Sequence, residues 1–243
     1  MRHTYGIVGD GKLAHHLSRY LSLKQLSIEQ WSRRKFALDR LPPAAALASS
    51  DVILIMVTDS AIEGCIRDLQ TSPTLASRTV VHFSGALSTY LATGFHPLMT
   101  FGTNLYDLAV YESIPFVCDS DGCAFQDVFP TLPNPTYTLP PVDKALYHSL
   151  CVLAGNCSVI LWQKLFTELE ERFSIPHTAA VPYLNQITSN LSHDFHNALT
   201  GPLIRRDHVT LCRNEAALQG DPFQAIYKCF VSAFSGGGSR ERT

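Results

Sequence analysis

The sequence predicts an α/β protein: an N-terminal, open, doubly wound parallel sheet followed by an all-helical region. Three observations carry that expectation. The apolar run Tyr5-Gly6-Ile7-Val8 breaks into Gly9-Asp10-Gly11-Lys12-Leu13-Ala14, then continues with Leu17, Tyr20 and Leu21 at helical spacing. Short apolar runs then alternate with helical stretches as far as Leu139, the pattern of parallel strands joined by crossovers. From Asp143 to Phe173 proline disappears and the apolar period becomes that of a helix.

The first turn reads as strand, tight bend and helix start. Gly9 allows the bend, Gly11 lets a pyrophosphate approach the backbone, and Ala14 lets the helix pack closely on the strand. The free N–H groups and dipole of that helix face the phosphates, so Gly9, Asp10, Gly11, Lys12 and Leu13 form the expected cradle of a dinucleotide. The bland alternative is a glycine-rich turn of no special purpose. Leu26–Trp31 is the second strand, followed by Ser32-Arg33-Arg34. At this strand end an acid binds the ribose 2′-hydroxyl of NAD, whereas an Arg accommodates the 2′-phosphate of NADP. The acid is missing, Glu29 sits too early, and two arginines follow a serine. NADP(H) is therefore the expected cofactor, with Ser32, Arg33 and Arg34 in contact with it; the competing reading is a solvated basic loop.

Leu41-Pro42-Pro43 interrupts the next helical piece, and Ala44 to Ala48 form a short turn. Asp51–Val57 is an unbroken apolar run and hence a central strand covered on both faces. Ligands of open α/β sheets bind beyond the carboxyl ends of strands, which makes Val57, Thr58 and Asp59 candidates to line the cofactor, while Ser60 reads as the N-cap of a helix over Ala61–Leu69. Thr79–Phe83 is the next strand, and the small residues Ser84 and Gly85 at its end let the nicotinamide or ribose lie close. After a short helix, Phe95–Phe101 carries His96-Pro97 to the same edge of the sheet; His96 lines the substrate cleft or bonds the backbone. Ile114–Cys118 and Thr136–Leu139 are the last strands, with a helix near Cys123–Phe129, and Pro115 argues that its strand lies near an edge.

The boundary falls near Pro140, giving a coenzyme-binding domain over 1–140, an all-helical substrate and dimerisation domain over 141–235 and a flexible tail over 236–243. The long helix from Asp143 to Phe173 is apolar almost all round between Leu150 and Leu165, as in a helix buried on every side, often against a second subunit. His148, Gly155 and Asn156 look misplaced in it: Gly155 suggests close approach of something, and Asn156 needs a polar partner. A further helix follows Ile175-Pro176, restarts at Pro182 and runs to Asn197. Asp207 N-caps a helix to Leu218, and Asp221-Pro222 opens the last one, which runs to about Phe234.

The totals exclude several classes. The chain has 243 residues, 46% hydrophobic and 16% charged, with net charge −2, so neither nucleic acid nor an anionic membrane is an expected partner. No signal peptide is expected, and no apolar run reaches the roughly 18 residues of a membrane span. Seven cysteines at irregular spacing, without a Cys-x-x-Cys pair, read as reduced thiols of a cytoplasmic protein with no metal site.

Several stretches together resemble a family: Gly9-Asp10-Gly11, Ser84-Gly85-Ala86-Leu87, His96-Pro97-Leu98, Tyr147-His148 with Asn156, and Ala198-Leu199-Thr200-Gly201-Pro202 with Arg205 and Asp207. In this order they are similar to the Rossmann-like NADP oxidoreductases whose all-helical C-terminal domain is related to that of 6-phosphogluconate dehydrogenase. Arg206 departs from the pattern, which has Gly before the Asp. Length and layout are similar to short members that look like an alternative ketopantoate reductase. That resemblance implies NADPH-dependent reduction of a small 2-keto acid, 2-dehydropantoate to pantoate, in pantothenate and coenzyme A biosynthesis. Larger relatives carry a Lys one turn before the Asn; here that position is Val152. His148 then becomes the expected acid, Asn156 the carbonyl orienter, Arg205 the carboxylate anchor and His96 the substitute acid. A structural His148 and an ion pair between Arg205 and Asp207 are the alternatives. The apolar helix implies a homodimer whose cleft borrows residues from the partner. The absent Lys keeps open an imine reductase of the pyrroline-5-carboxylate type, and a non-catalytic NADP-binding sensor or scaffold is the third reading.

Overall fold

The structure is a computed structural model that describes residues 3–237. Its backbone packing divides into two compact units, one ending at Leu161 and the other beginning at Trp162. The first holds a seven-stranded sheet of β1 (Thr4–Val8), β2 (Ser27–Trp31), β3 (Val52–Ile55), β4 (Thr79–His82), β5 (Thr93–Pro97), β6 (Phe116–Asp119) and β7 (Thr136–Leu139), in the order β2-β1-β3-β4-β5-β6-β7. Neighbouring strands are parallel except β5 and β6. Its helices are α1 (Lys12–Leu23), α2 (Arg33–Asp39), α3 (Pro43–Ala46), α4 (Asp59–Gln70), α5 (Leu108–Ser113), α6 (Phe125–Val128) and α7 (Lys144–Val152).

Strand residues alternate between two cores, as a period of two requires. Tyr5, Ile7, Val52, Leu54 and Val81 pack with Leu17, Leu21, Phe95 and Phe125, whereas Val8, Ile53 and Ile55 pack with Ile62, Ile66 and Leu69. All four residues of β3 are buried, as its unbroken apolar run predicts.

Several local expectations are corrected. No helix forms between β4 and β5: the Ser84 hydroxyl accepts the N–H groups of Ala86 and Leu87, and Thr89 accepts that of Leu91, so side chains take the donors a helix would use. Ser32-Arg33-Arg34 is not a loop, because Ser32 accepts the Lys35 N–H at 3.1 Å and starts α2. The cap of α4 is Thr58 rather than Ser60, which places Asp59 in the first turn against the positive end of the dipole. β6 lies one strand in from the β7 edge, near an edge as Pro115 suggests. Pro115 stands one residue before it, and its carbonyl accepts Leu98 N–H, so the missing donor costs the ladder nothing.

A 3₁₀ turn (Pro141–Asp143), α7, a π-helical segment (Leu153–Cys157) and α8 (Ser158–Glu171) form one helical stretch, and the division between units falls within α8. This stretch bears on two expectations. Leu146, Leu150 and Leu153 are 62%, 56% and 61% exposed, so the chain does not bury it on every side. By length and composition alone it is also apolar enough to cross a membrane, because no Asp, Glu, Lys or Arg stands between Lys144 and Lys164.

In the second unit a 3₁₀ turn (His177–Ala180) leads into α9 (Val181–His193), followed by α10 (Pro202–Arg205), α11 (His208–Ala217) and α12 (Phe223–Gly237). α9 stops short of Asn197 because the Asp194 carboxylate takes the N–H groups of His196 and Asn197 in a turn. The Asp207 and Asp221 caps form as expected, to Thr210 N–H at 3.1 Å and Phe223 N–H at 2.8 Å. α12 continues past Phe234 to Gly237, so residues 236 and 237 are helical rather than part of the expected tail; residues 238–243 lie outside the described ones.

Candidate functional site

A cleft of about 1020 Å³ opens at the carboxyl ends of β1, β2 and β3. There β1 has β2 on one side and β3 on the other, the switch point at which open α/β sheets bind ligands. Gly9, Asp10, Gly11, Lys12, Leu13, Ser32, Arg33, Arg34, Val57 and Thr58 line it. The two glycines do different work. Gly9 has φ +139°, and a Cβ there would run into the Met56 carbonyl; its own N–H donates to Trp31 O and its carbonyl accepts from Gln30 Nε2, each at 2.9 Å. Gly11 has ordinary extended geometry, and a Cβ there would meet nothing within 4 Å. The protein's own packing therefore requires Gly9 and does not require Gly11. What Gly11 leaves clear is the approach to the start of α1, which has no side-chain cap and no acid in its first turn.

At the β2 end of the cleft, Arg34 Nη1 lies 3.8 Å from Asp10 Oδ2 with its side chain 82% exposed. Asp10 also holds His15 Nε2 at 2.9 Å. Glu29 is engaged elsewhere: its carboxylate accepts from Ser50 Oγ at 2.6 Å and from Ser49 Oγ. The acid of β2 itself is therefore turned away from Arg33 and Arg34, and the carboxylate beside Arg34 is Asp10 of the first turn.

Asp59, Ser84 and Gly85 do not line that cleft. Ser84 and Gly85 belong to a second group, beyond β4 and β5. His96 Nδ1 lies 2.8 Å from Tyr147 Oη, and the rings of His96 and His148 stand edge to face at 5.6 Å. Gly85 is the seat between them: a Cβ there would lie 2.9 Å from His96 Nε2 and against His148 Cδ2. Burial first, then the His148 and Lys144 charges, push the His96 imidazole down to about 4, against an opposing pull from Asp59. Burial raises the Tyr147 phenol. The imidazole is therefore neutral, and with the phenol as the donor to Nδ1 its ring proton sits on Nε2, beside Gly85. Near neutral pH His96 is thus an uncharged ring.

Asn156 sits in the π segment and is exposed. In a regular helix it would be rotated by about 80° from His148. A π turn takes in about one extra residue and returns it to within roughly 20° of the same face. Gly155 marks no close approach within the chain, since a Cβ there meets nothing within 4 Å; it lies within the irregular winding instead. Arg205 ends α10 in the second unit and is exposed. Among the described residues no ion pair joins it to Asp207, whose carboxylate accepts from Thr210 N and, at 2.7 Å, from Thr210 Oγ1. Arg206 adopts φ +54°, the left-handed geometry that a Gly would supply.

Residues 119–233 match the family model described as "Domain of unknown function (DUF2520)". The matched stretch takes in Tyr147, His148, Asn156 and Arg205, and leaves the cleft at β1 to β3 outside it. No curated protein matches the sequence. Solved structures do. One is a Bacteroides fragilis protein named as a putative NADP oxidoreductase, at TM-score 0.76 and 18% identity over 96% of this chain and 98% of that one. A Streptomyces aurantiacus imine reductase follows at 0.64 and 14%, over 97% and 94%. A reductive aminase from Aspergillus terreus, in complex with NADPH and ethyl-5-oxohexanoate, matches at 0.63 and 14%, over 98% and 95%. These likenesses establish the fold, a Rossmann-like sheet followed by a helical region. The sequence left Tyr147 without a role of its own and passed over Lys144, Asp119 and His82, which lie near His96 on separate elements; only the Tyr147-His148 pairing hinted at them.

Proposed function

We propose that the chain binds NADP(H) in the cleft at β1 to β3 and is an NADP-dependent oxidoreductase that reduces a small carbonyl or imine compound. One observation carries this reading: Gly11 is free of any packing duty and faces open space, between an uncapped helix start and a strand end furnished with Ser32, Arg33 and Arg34. The coenzyme, when bound, supplies the hydride. The chain's own residues bind and orient. Gly9 to Leu13 present backbone N–H groups to the pyrophosphate, Arg33 and Arg34 take the 2′-phosphate, and Val57, Thr58 and Asp59 continue toward Ser84 and Gly85. His148 holds a proton near the reacting carbonyl, Asn156 orients it from the same helix face, and His96 offers Nε2–H as a neutral donor.

A keto acid such as 2-dehydropantoate is the substrate to which the sequence resemblance points. An imine is the second reading, and the neutral state of His96 favours it. An iminium arrives already protonated, so its reduction needs orientation more than an acid, and Val152 stands where a Lys would have supplied one. The exposed apolar face of the long helix supports a homodimer. The test is NADPH oxidation, followed by absorbance, with ketopantoate, pyrroline-5-carboxylate and a set of branched keto acids. Turnover of the first or second chooses between the substrates. Binding without turnover across the set leaves a sensor or scaffold, and failure to bind NADPH removes the whole reading.

A further inference from the structure

A buried ion pair lies beneath the His96 group, and nothing in the mechanism above uses it. Lys144 Nζ is 2.7 Å from Asp119 Oδ1, with the two side chains 4% and 7% exposed. Asp119 ends β6, and its other oxygen accepts the N–H of Gly94 on β5 at 2.7 Å. A Cβ on Gly94 would push between Lys144 Nζ, Asp119 Oδ2 and His82 Cε1. The lysine is thus paired to β6, with Gly94 of β5 and His82 of β4 packed beside the pair, at the place where the sheet turns antiparallel.

Lys144 is also the first residue of α7. Tyr147 and His148 lie three and four residues further on, the spacing that stacks side chains on one helix face. Whatever sets the rotation of Lys144 sets theirs. Removing two charges from water is costly, and such a pair is weak evidence of stability; what it supplies best is register. With only 4% of its side chain exposed, Lys144 is placed to act through Tyr147 and His148. We propose that Lys144, clamped by Asp119, is the positioning residue that fixes the rotation of α7, holding Tyr147 on His96 and His148 over Gly85.

Two variants test this, and its turnover arm alone rests on the reductase reading. Lys144→Met with Asp119→Asn removes both charges while keeping an acceptor for Gly94 N–H. Gly94→Ala keeps both charges and wedges a methyl group between them. The groups facing His96 are Tyr147, His148 and Lys144 from α7 and Asp59 from α4. In the double variant the His96 NMR titration midpoint should rise toward the ordinary histidine range. In Gly94→Ala the Nδ1 nitrogen shift should report loss of the Tyr147 bond. In both, NADPH affinity should stay within threefold, and kcat should fall at least tenfold with KM little changed. Folded variants with an unchanged His96 signal overturn the proposal. Failure of both to fold would mark the pair as general scaffolding and overturn it too. If the unaltered protein turns over nothing, the functional reading fails, and the His96 signals still decide the role of Lys144.

Discussion

β3 and the long helix are built from similarly apolar residues and meet opposite fates. Every residue of β3 is buried by helices the same chain supplies on both faces of the sheet. The helix leaves Leu146, Leu150, Leu153 and Val159 more than half exposed. A sheet face needs one covering layer, and crossover connections deliver it automatically. A helix apolar all round needs partners in every direction, and one chain does not supply them. The largest predicted effect follows from this contrast. Leu150→Glu with Leu153→Glu should convert a dimer to monomer, seen by light scattering, and lower any turnover more than about a hundredfold, roughly 2.7 kcal/mol. A monomeric unaltered protein would break the comparison outright.

The two glycines of the cleft sharpen the same distinction between what the chain needs and what a ligand needs. Gly11→Val should leave the melting temperature within a degree or two and weaken NADPH binding about a hundredfold, about 2.7 kcal/mol, by calorimetry. Gly9→Ala should behave in the opposite sense, lowering stability by about 3 kcal/mol or more, because a Cβ at φ +139° collides with the Met56 carbonyl. Equal effects of the two would show that Gly11 also has a packing role.

Motif and period made the cleft legible. Each of its parts sits at a strand end, and strand ends are readable from apolar runs that stop. Ser32-Arg33-Arg34 is legible for that reason, as is a helical piece before Leu41, although its start directly at Arg33 is not, since the cap bond from Lys35 to Ser32 is a single contact. The second group was half legible. His96 and His148 stood out as polar residues in apolar surroundings, but Lys144 and Asp119 did not, because Lys144 is an ordinary helix-start residue until the fold buries it. Their pairing depends on β6 running antiparallel beside β5, and no local pattern carries strand direction. The π winding at Asn156 was equally invisible: Gly155 signalled an irregularity without saying which.

Acid should separate the two regions as well. Burial first, then the Lys144 charge, pushes His82 down to about 4, and His96 lies at a similar value. Both fold as neutral rings, so the unfolded chain binds more protons below the ordinary histidine value. Stability is full above pH 6.5 and falls as pH drops toward 4, by on the order of 3 kcal/mol for each residue. Urea titrations at stepped pH should show that loss, and His96→Gln should reduce it. A flat profile across the window would mean that water or a compensating acid reaches the rings.

The smallest effect concerns coenzyme choice. Arg34 is exposed and only loosely drawn toward Asp10, and α2 presents Arg33 beside it, so neither has a structural duty that a substitution would disturb. Exposed charges of this kind contribute little to folding. Opposite a bound phosphate they form charge-assisted, bidentate hydrogen bonds, which are worth more. Arg33→Ala with Arg34→Ala should therefore keep the melting temperature, weaken NADPH about tenfold, or 1.4 kcal/mol, and leave NADH unchanged. Because the 2′-phosphate is the one group that distinguishes the two coenzymes, a loss shared equally by both would assign the arginines to the pyrophosphate. A loss of neither would return them to a solvated helix end, with the phosphate preference set elsewhere in the cleft.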